Sequence, residues 1–216
     1  MVEAMIYILR VGCPWRDVPS HYGPWSSVYT RWRRWCLRGI WQAIIDLLAA
    51  RQRGELRHLD ATHIKVHQDA SSGGHQETQA IGRTKGGLNT KITVLVDSQG
   101  RALQMAVAPG QCADVQAVEA IELPAGKRVV ADKGYDSDAF RETIVANGSK
   151  PCIPPRKNRV HRVLWHRGWY AKRHRVENFF QRIKRLRRIS TRYEKLSLHF
   201  LAFVQLAAVL DWLKPF

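Results

Sequence analysis

Lys127-Arg128-Val129-Val130-Ala131-Asp132-Lys133-Gly134-Tyr135-Asp136 is the stretch whose reading decides the fold. Its first half, Lys127–Ala131, is a short apolar run, which predicts a brief buried strand. Lys133-Gly134-Tyr135 then reads as a turn, and an acid, Asp132, stands at the junction. A helix follows, opening near Asp136 or Ser137 and closing at Asn147-Gly148, and Pro151–Pro155 is a candidate for one more strand.

Working upstream, Leu56–Val66 reads as a strand that runs into a polar loop, Asp69–Lys85. Thr90–Val96 and Ala102–Val107 alternate, joined by the hairpin turn Asp97-Ser98-Gln99-Gly100. Downstream, basic residues dominate Arg156–Arg167, and long helices fill the remainder. Three early strands, then strand, helix, strand and helix, is the order expected of a ribonuclease-H-like α/β fold.

The first 50 residues have a different texture. Val2, Met5, Ile6 and Leu9 recur at helical spacing, with Gly12 as terminator. The pattern is already under way at the first residue, so a segment upstream is expected to be missing. Ser26 or Ser27 is expected to cap a second helix with Val28, Trp32, Trp35 and Cys36 on one side and Arg31, Arg33, Arg34 and Arg38 around it. Gly39 is expected to bend or break that helix before Ile40–Ala50 continues. The expected division is a helical, tryptophan-rich region, 1–52, and an α/β domain, 53–216.

The charge is the strongest compositional signal. Thirty-five Lys and Arg against 18 Asp and Glu leave a formal +17, an excess that suits a polyanionic partner, and basic residues interleave with aromatics along the chain. Nucleic acid is therefore the expected partner. Cys13, Cys36, Cys112 and Cys152 include no Cys-x-x-Cys pair, which favours reduced thiols over a zinc site or disulfide framework. The apolar run Leu201–Leu213 is interrupted by Gln205 and Asp211 and is too short for a membrane span. A cytoplasmic protein is expected, associated with the nucleoid when bound to DNA.

In a basic chain, carboxylates in unusual places are informative. Asp60 lies mid-strand in His58-Leu59-Asp60-Ala61-Thr62, where a charge is costly unless paired or bound to metal. Asp132 lies at the carboxyl end of a strand, where ligands gather in α/β sheets, although a turn or helix cap explains it equally well. On an ideal helix Tyr170, Arg173, Glu177 and Lys184 share a stripe roughly 60° wide. Val176, Phe179, Phe180, Ile183 and Leu186 cover the adjoining, core-facing arc. An Arg173–Glu177 pair at i,i+4 accounts for two members of the stripe, but leaves Tyr170 and Lys184 unexplained.

At these residues the chain resembles the DDE transposases of bacterial insertion sequences, in the group named after insertion sequence five. The resemblance rests on Tyr170-x-x-Arg173-x-x-x-Glu177-x-x-x-x-x-x-Lys184, on Gly12-Cys13-Pro14-Trp15-Arg16-Asp17 with Gly23-Pro24-Trp25, and on Leu59-Asp60-Ala61-Thr62. It continues through Thr84–Lys91, Ala131–Asp136 and Ile189–Lys195, and so spans nearly the whole chain. It implies that Asp60, Asp132 and Glu177 are catalytic and bind two Mg2+ ions, with Mn2+ able to substitute, on a ribonuclease-H-like fold. It also implies that Arg173 and Lys184 contact phosphates of double-stranded DNA and that Tyr170 helps position the strand end.

The basic run Arg182, Lys184, Arg185, Arg187 and Arg188 suits further phosphate contacts, with Arg182, Arg185 and Arg188 the principal candidates. The helical region is expected to recognise the ends of the element, although it is short at its amino terminus for this family. A homo-oligomer on DNA is expected, with no membrane and no small-molecule cofactor. The alternatives are a nuclease on the same fold that does not join strands, and an inactive or truncated DNA-binding remnant. His63 and His67, Asp136 and Asp138, and Gly86-Gly87 read as solvated or phosphate-facing histidines, helix caps and a strand-entry turn.

Overall fold

β1, Leu56–Val66, is the spine of the sheet. A computed structural model of the chain describes every residue except 51, 53, 72–78, 162 and 214–216, so the middle of the polar loop after β1 lies outside the described residues. The remaining strands are β2, Gly82–Thr84; β3, Gly87–Val96; β4, Ala102–Pro109; β5, Arg128–Val130; β6, Lys150–Cys152; and β7, Thr191–Arg192. β3 runs antiparallel to β1 from His58↔Val96 to Lys65↔Asn89, and β4 runs antiparallel along the other edge of β3. On the opposite side of β1, β5 is parallel (Leu56↔Arg128 to His58↔Val130), and β6 is parallel to β5. Three antiparallel strands followed by two parallel ones is the ribonuclease-H-like arrangement that the element order implied.

The hairpin β3–β4 explains itself locally. Asp97 accepts from the backbone N–H groups of Gln99 and Arg101 at 2.8 and 2.9 Å, which closes the turn. In β3 the period-two alternation is used on both faces. Ile92, Val94 and Val96 enter one apolar cluster while Leu95 enters the other, so a strand with helices on both sides is buried from Asn89 to Val96.

One cluster unites most of the helices: α1, Val2–Val11; α2, Trp25–Leu37; α3, Ile40–Ala49; α5, His174–Ile183; and α6, Ser197–Leu213. α4, Asp138–Ala146, covers the other face with Phe140 and Ile144. The tryptophan-rich helices therefore share a core with the sheet, and Trp32 stacks on Phe203 of α6 at 4.1 Å between ring centroids. Gly12 closes α1 with φ +77, and a Cβ there would meet Arg187 Cβ at 3.0 Å, so both conformation and space call for glycine.

Three local expectations change. α2 begins one residue before Ser26, with Pro24 at its cap position and no side-chain cap bond, because Pro24 supplies the fixed φ that starts the helix. The long carboxy-terminal helices are interrupted: Arg167–Tyr170 is one α turn, Ala171–Arg173 a 3-10 turn, and Arg187–Ser190 another single turn before β7. β2 and β7 are too short to show alternation. β7 exists because the end of β1 offers it an open edge, Lys65↔Thr191 and Val66↔Arg192.

Candidate active site

The parallel pairing of β1 with β5 brings the first two acids together. His58 pairs with Val130; two residues on from His58 in β1 stands Asp60, and two residues on from Val130, just past the end of β5, stands Asp132. Equal offsets place them side by side where neighbouring strands lie about 4.8 Å apart. Asp60 is mostly buried, and its Oδ1 accepts from the backbone N–H of Ala61 at 2.9 Å. Burial raises its pKa and repulsion from Asp132 adds to the rise, while Arg173 and the Ala61 N–H pull the other way.

The third acid arrives from α5 through an arginine. Arg173 Nη1 donates to Asp60 Oδ2 at 2.6 Å, and Nη2 donates to Glu177 Oε1. Burial works against the Arg173 charge. Asp60, Glu177, Tyr170 and Asp132, in that order, outweigh it and hold the guanidinium pKa above its ordinary value. Asp60 and Glu177 thus share one cation through direct ion pairs. Tyr170 is half-buried against the small cluster of Leu56, Val130 and Cys152, edge-on to Trp165. Lys184, the C-cap of α5, donates from Nζ to Thr62 Oγ1 at 2.6 Å, so the four members of the stripe still gather along β1 although a 3-10 turn separates Tyr170 from α5.

Asp132 also has a local role. Its Oδ1 accepts from the Gly134 N–H at 2.7 Å and caps the 3-10 turn Lys133–Tyr135. A Cβ on Gly134 would lie 2.8 Å from Asp132 Oδ1 and 3.0 Å from Asp114 Oδ2, so Asp114 faces Asp132 across the glycine. Sequence reading passed over this fourth carboxylate, which pairs with the buried Lys91 Nζ at 2.6 Å. The signal was Lys91 itself, a charge inside an otherwise apolar strand.

Two arginines expected on DNA are engaged inside the protein. Arg182 forks onto Asp211 of α6, at 2.6 and 2.8 Å, and also donates to the Gly100 carbonyl. Arg188 is buried, with Nε on Glu194 Oε1 at 2.6 Å and Nη1 on the carbonyls of Gly12 and Cys13. Both side chains are thus committed to acceptors inside the protein, Asp211 and Glu194 among them. Arg185 is exposed. Asp136 takes bonds from Arg141, Arg159 and the Arg156 N–H, while Ser137 caps α4. His63 contacts Asn89 and His67 contacts Asp69.

Asp60 and Glu177 offer hard carboxylate oxygens, the donor type a divalent metal takes, on either side of a position that attracts a cation. In the present arrangement Arg173 supplies that charge. Among the described residues no three His, Cys, Asp or Glu side chains stand close enough together to hold an ion.

His58, beneath Asp60 on β1, is fully buried, and neither ring nitrogen has a partner among the described residues. Burial, then Arg175 and His174, push its pKa down from 6.5 to about 4. As pH falls from 6.5 towards 4 the unfolded chain takes up a proton that the folded one refuses, so stability drops by about 3 kcal/mol across that window. Urea midpoints measured against pH should show this loss in the wild type and a flatter profile in His58→Leu; identical profiles would refute it.

No described helix is long and apolar enough to cross a membrane. Residues 1–45 match the family described as "Putative transposase of IS4/5 family", and residues 51–212 match the family described as "Transposase DDE domain". "Putative transposase for insertion sequence element IS6501" of Brucella ovis is 34% identical over 134 residues, 59% of this chain and 100% of that protein. "Insertion element IS402 uncharacterized 16.2 kDa protein" of Burkholderia cepacia is 38% identical over 55 residues, 24% of this chain and 37% of that protein. Among solved structures, the cryo-EM structure of the piggyBac transposase synaptic complex with hairpin DNA aligns with a TM-score of 0.49 and 9% identity. That alignment covers 80% of this chain and 49% of the other.

Proposed function

The chain belongs to the transposase DDE domain family, a family of metal-dependent enzymes, and we propose that Asp60, Asp132 and Glu177 are the acids with which it cleaves insertion-sequence ends and transfers them into target DNA. The observation that carries this reading is that the Arg173 guanidinium bridges Asp60 of β1 and Glu177 of α5, far apart in sequence, with Asp132 following the strand that pairs in parallel with β1.

Mg2+, with Mn2+ as a substitute, would be held by these acids and would activate the attacking oxygen and stabilise the leaving one. The rest of the work falls to the chain. Arg173 lies between Asp60 and Glu177, and turning it onto a DNA phosphate would free both carboxylates and let the fork bind bidentately. Lys184 and the exposed Arg185 extend the basic surface along the strand, and the Tyr170 hydroxyl positions the strand end. Residues 1–52 would contact element ends while 53–216 perform the chemistry, with two or more copies assembled on double-stranded DNA at the nucleoid.

A precut duplex end carrying a free 3′-hydroxyl, incubated with the protein, target plasmid and Mg2+ or Mn2+, tests the reading. Joined product is expected. Nicking of the target without joining would identify a nuclease of the same fold, and no product with either metal would mark a remnant.

A further inference from the structure

A cleft of about 300 Å³ opens beside Asp132, between the segments that leave the parallel edge of the sheet. Lys133 and Gly134, which follow β5, and Arg156 and Lys157, which follow β6, line it together with Asp132. Lys133, Arg156 and Lys157 are exposed, so all three charges are open to a ligand. Arg156 is held in place along one edge of its guanidinium. Nε donates to the Lys133 carbonyl at 3.0 Å and Nη2 to the Gly134 carbonyl at 2.6 Å, while the backbone N–H donates to the buried Asp136. Among the described residues Nη1 has no hydrogen-bond partner, and the ammonium groups of Lys133 and Lys157 make neither a hydrogen bond nor an ion pair.

Each feature narrows the occupant. Three cations against one acid make the cleft a place for an anion. A guanidinium fixed by backbone carbonyls has already lost the side-chain freedom that a contact costs, which suits it to a phosphate. The lining shared with Asp132 puts that anion beside the reacting centre. An acidic peptide would satisfy the cations, but what must come to Asp132 is a DNA strand. Position then separates two strands. In the order β3-β1-β5-β6 the cleft lies past β5, whereas Lys184, which the reading above places on the element end, reaches Thr62 on β1. During cleavage the duplex is continuous across the cut, so contacts to the element hold both halves. At joining the target is a separate molecule and needs a contact of its own.

We propose that this cleft binds a backbone phosphate of the target duplex, with Arg156 and Lys157 as its donors and Lys133 adding charge, and so orients the target for attack by the element's 3′-hydroxyl. The inference rests on the DNA-processing reading above. In that step the hydroxyl gives up its proton and bonds to the target phosphorus, while a 3′-oxygen of the target leaves and takes up a proton. The contact is to the backbone, so it carries no base preference.

The test compares, in the full chain, binding of a precut element end, cleavage of an uncut end, and the KM and kcat of joining as the target duplex is varied. Replacing Arg156 would also loosen the turn that carries Asp132, so the exposed Lys157 is the position that decides. Lys157→Ala should raise the target KM about fivefold and lower the log–log salt slope of that KM by about one. Lys157→Glu, which reverses the charge, should raise it about thirtyfold. End binding, end cleavage and the joining kcat should stay within about twofold of the wild type in both variants. An unchanged target KM in Lys157→Glu overturns the proposal with the DNA reading intact. Equal losses of cleavage and joining, or weaker binding of the precut end, would make the cleft a contact for the element or its flank and also overturn it. Failure of the wild type to cleave or join any end would sink the DNA-processing reading first, and this proposal with it.

Discussion

Asp60→Asn, Asp132→Asn and Glu177→Gln each lower strand cleavage by about a thousandfold or more, while DNA binding stays within about twofold or tightens. The magnitude follows from what a carboxylate-held cation contributes to a phosphoryl transition state, several kcal/mol, at a tenfold rate change for each 1.4 kcal/mol or so. The direction of the binding effect follows from the same geometry. Removing a negative charge beside Arg173 leaves the guanidinium freer to meet a phosphate and lessens repulsion of the DNA. Asp138→Asn is the control: its side chain is 72% exposed and pairs with Arg159 away from the three acids, so cleavage should be unaffected. Cleavage rates and filter-binding affinities for the four variants decide the matter, and near-normal cleavage by any of the first three removes that residue from the catalytic set.

Arg182→Ala loses about 3 kcal/mol of stability, a structural effect at a position that reads in sequence as part of a phosphate-binding run. Asp211 is 1% exposed on its side chain and receives both bonds of the Arg182 fork, so truncating the arginine strands a buried carboxylate. A pair variant, Arg182→Met with Asp211→Leu, removes both charges together and should recover most of the loss, because an apolar pair of similar size is not penalised in that way. Arg185→Ala, at an exposed position in the turn after α5, should leave stability within about 0.5 kcal/mol and weaken DNA binding instead. Urea unfolding resolves the two behaviours. Equal stability of Arg182→Ala and the wild type would show that the ion pair contributes nothing.

Two of the proposed acids stand out where local physics singles them out: Asp60 is a charge within an apolar strand, and Asp132 follows three apolar residues at a strand end. The hairpin at Asp97–Gly100, the breaks at Gly12 and Gly39 and the order of strands were legible for a similar reason, since turn chemistry and period-two alternation act over a few residues. The helix stripe was legible in outline only. Its members stay together, but the backbone tightens into a 3-10 turn at Ala171–Arg173 that periodicity does not reveal.

The chain's own order of residues thus determined the strand sequence, the acid positions and the basic character. Tertiary structure alone decided which arginines turn inward, that Asp114 and Lys91 neutralise one another beside Asp132, and that the tryptophan-rich helices join the core of the sheet. A long charged side chain chooses its partner by distance in space. Arg182 finds Asp211, Arg188 finds Glu194 and the carbonyls that follow α1, and Arg173 finds Asp60. Those distances are set by how the helices pack on the sheet, which no window of neighbouring residues contains.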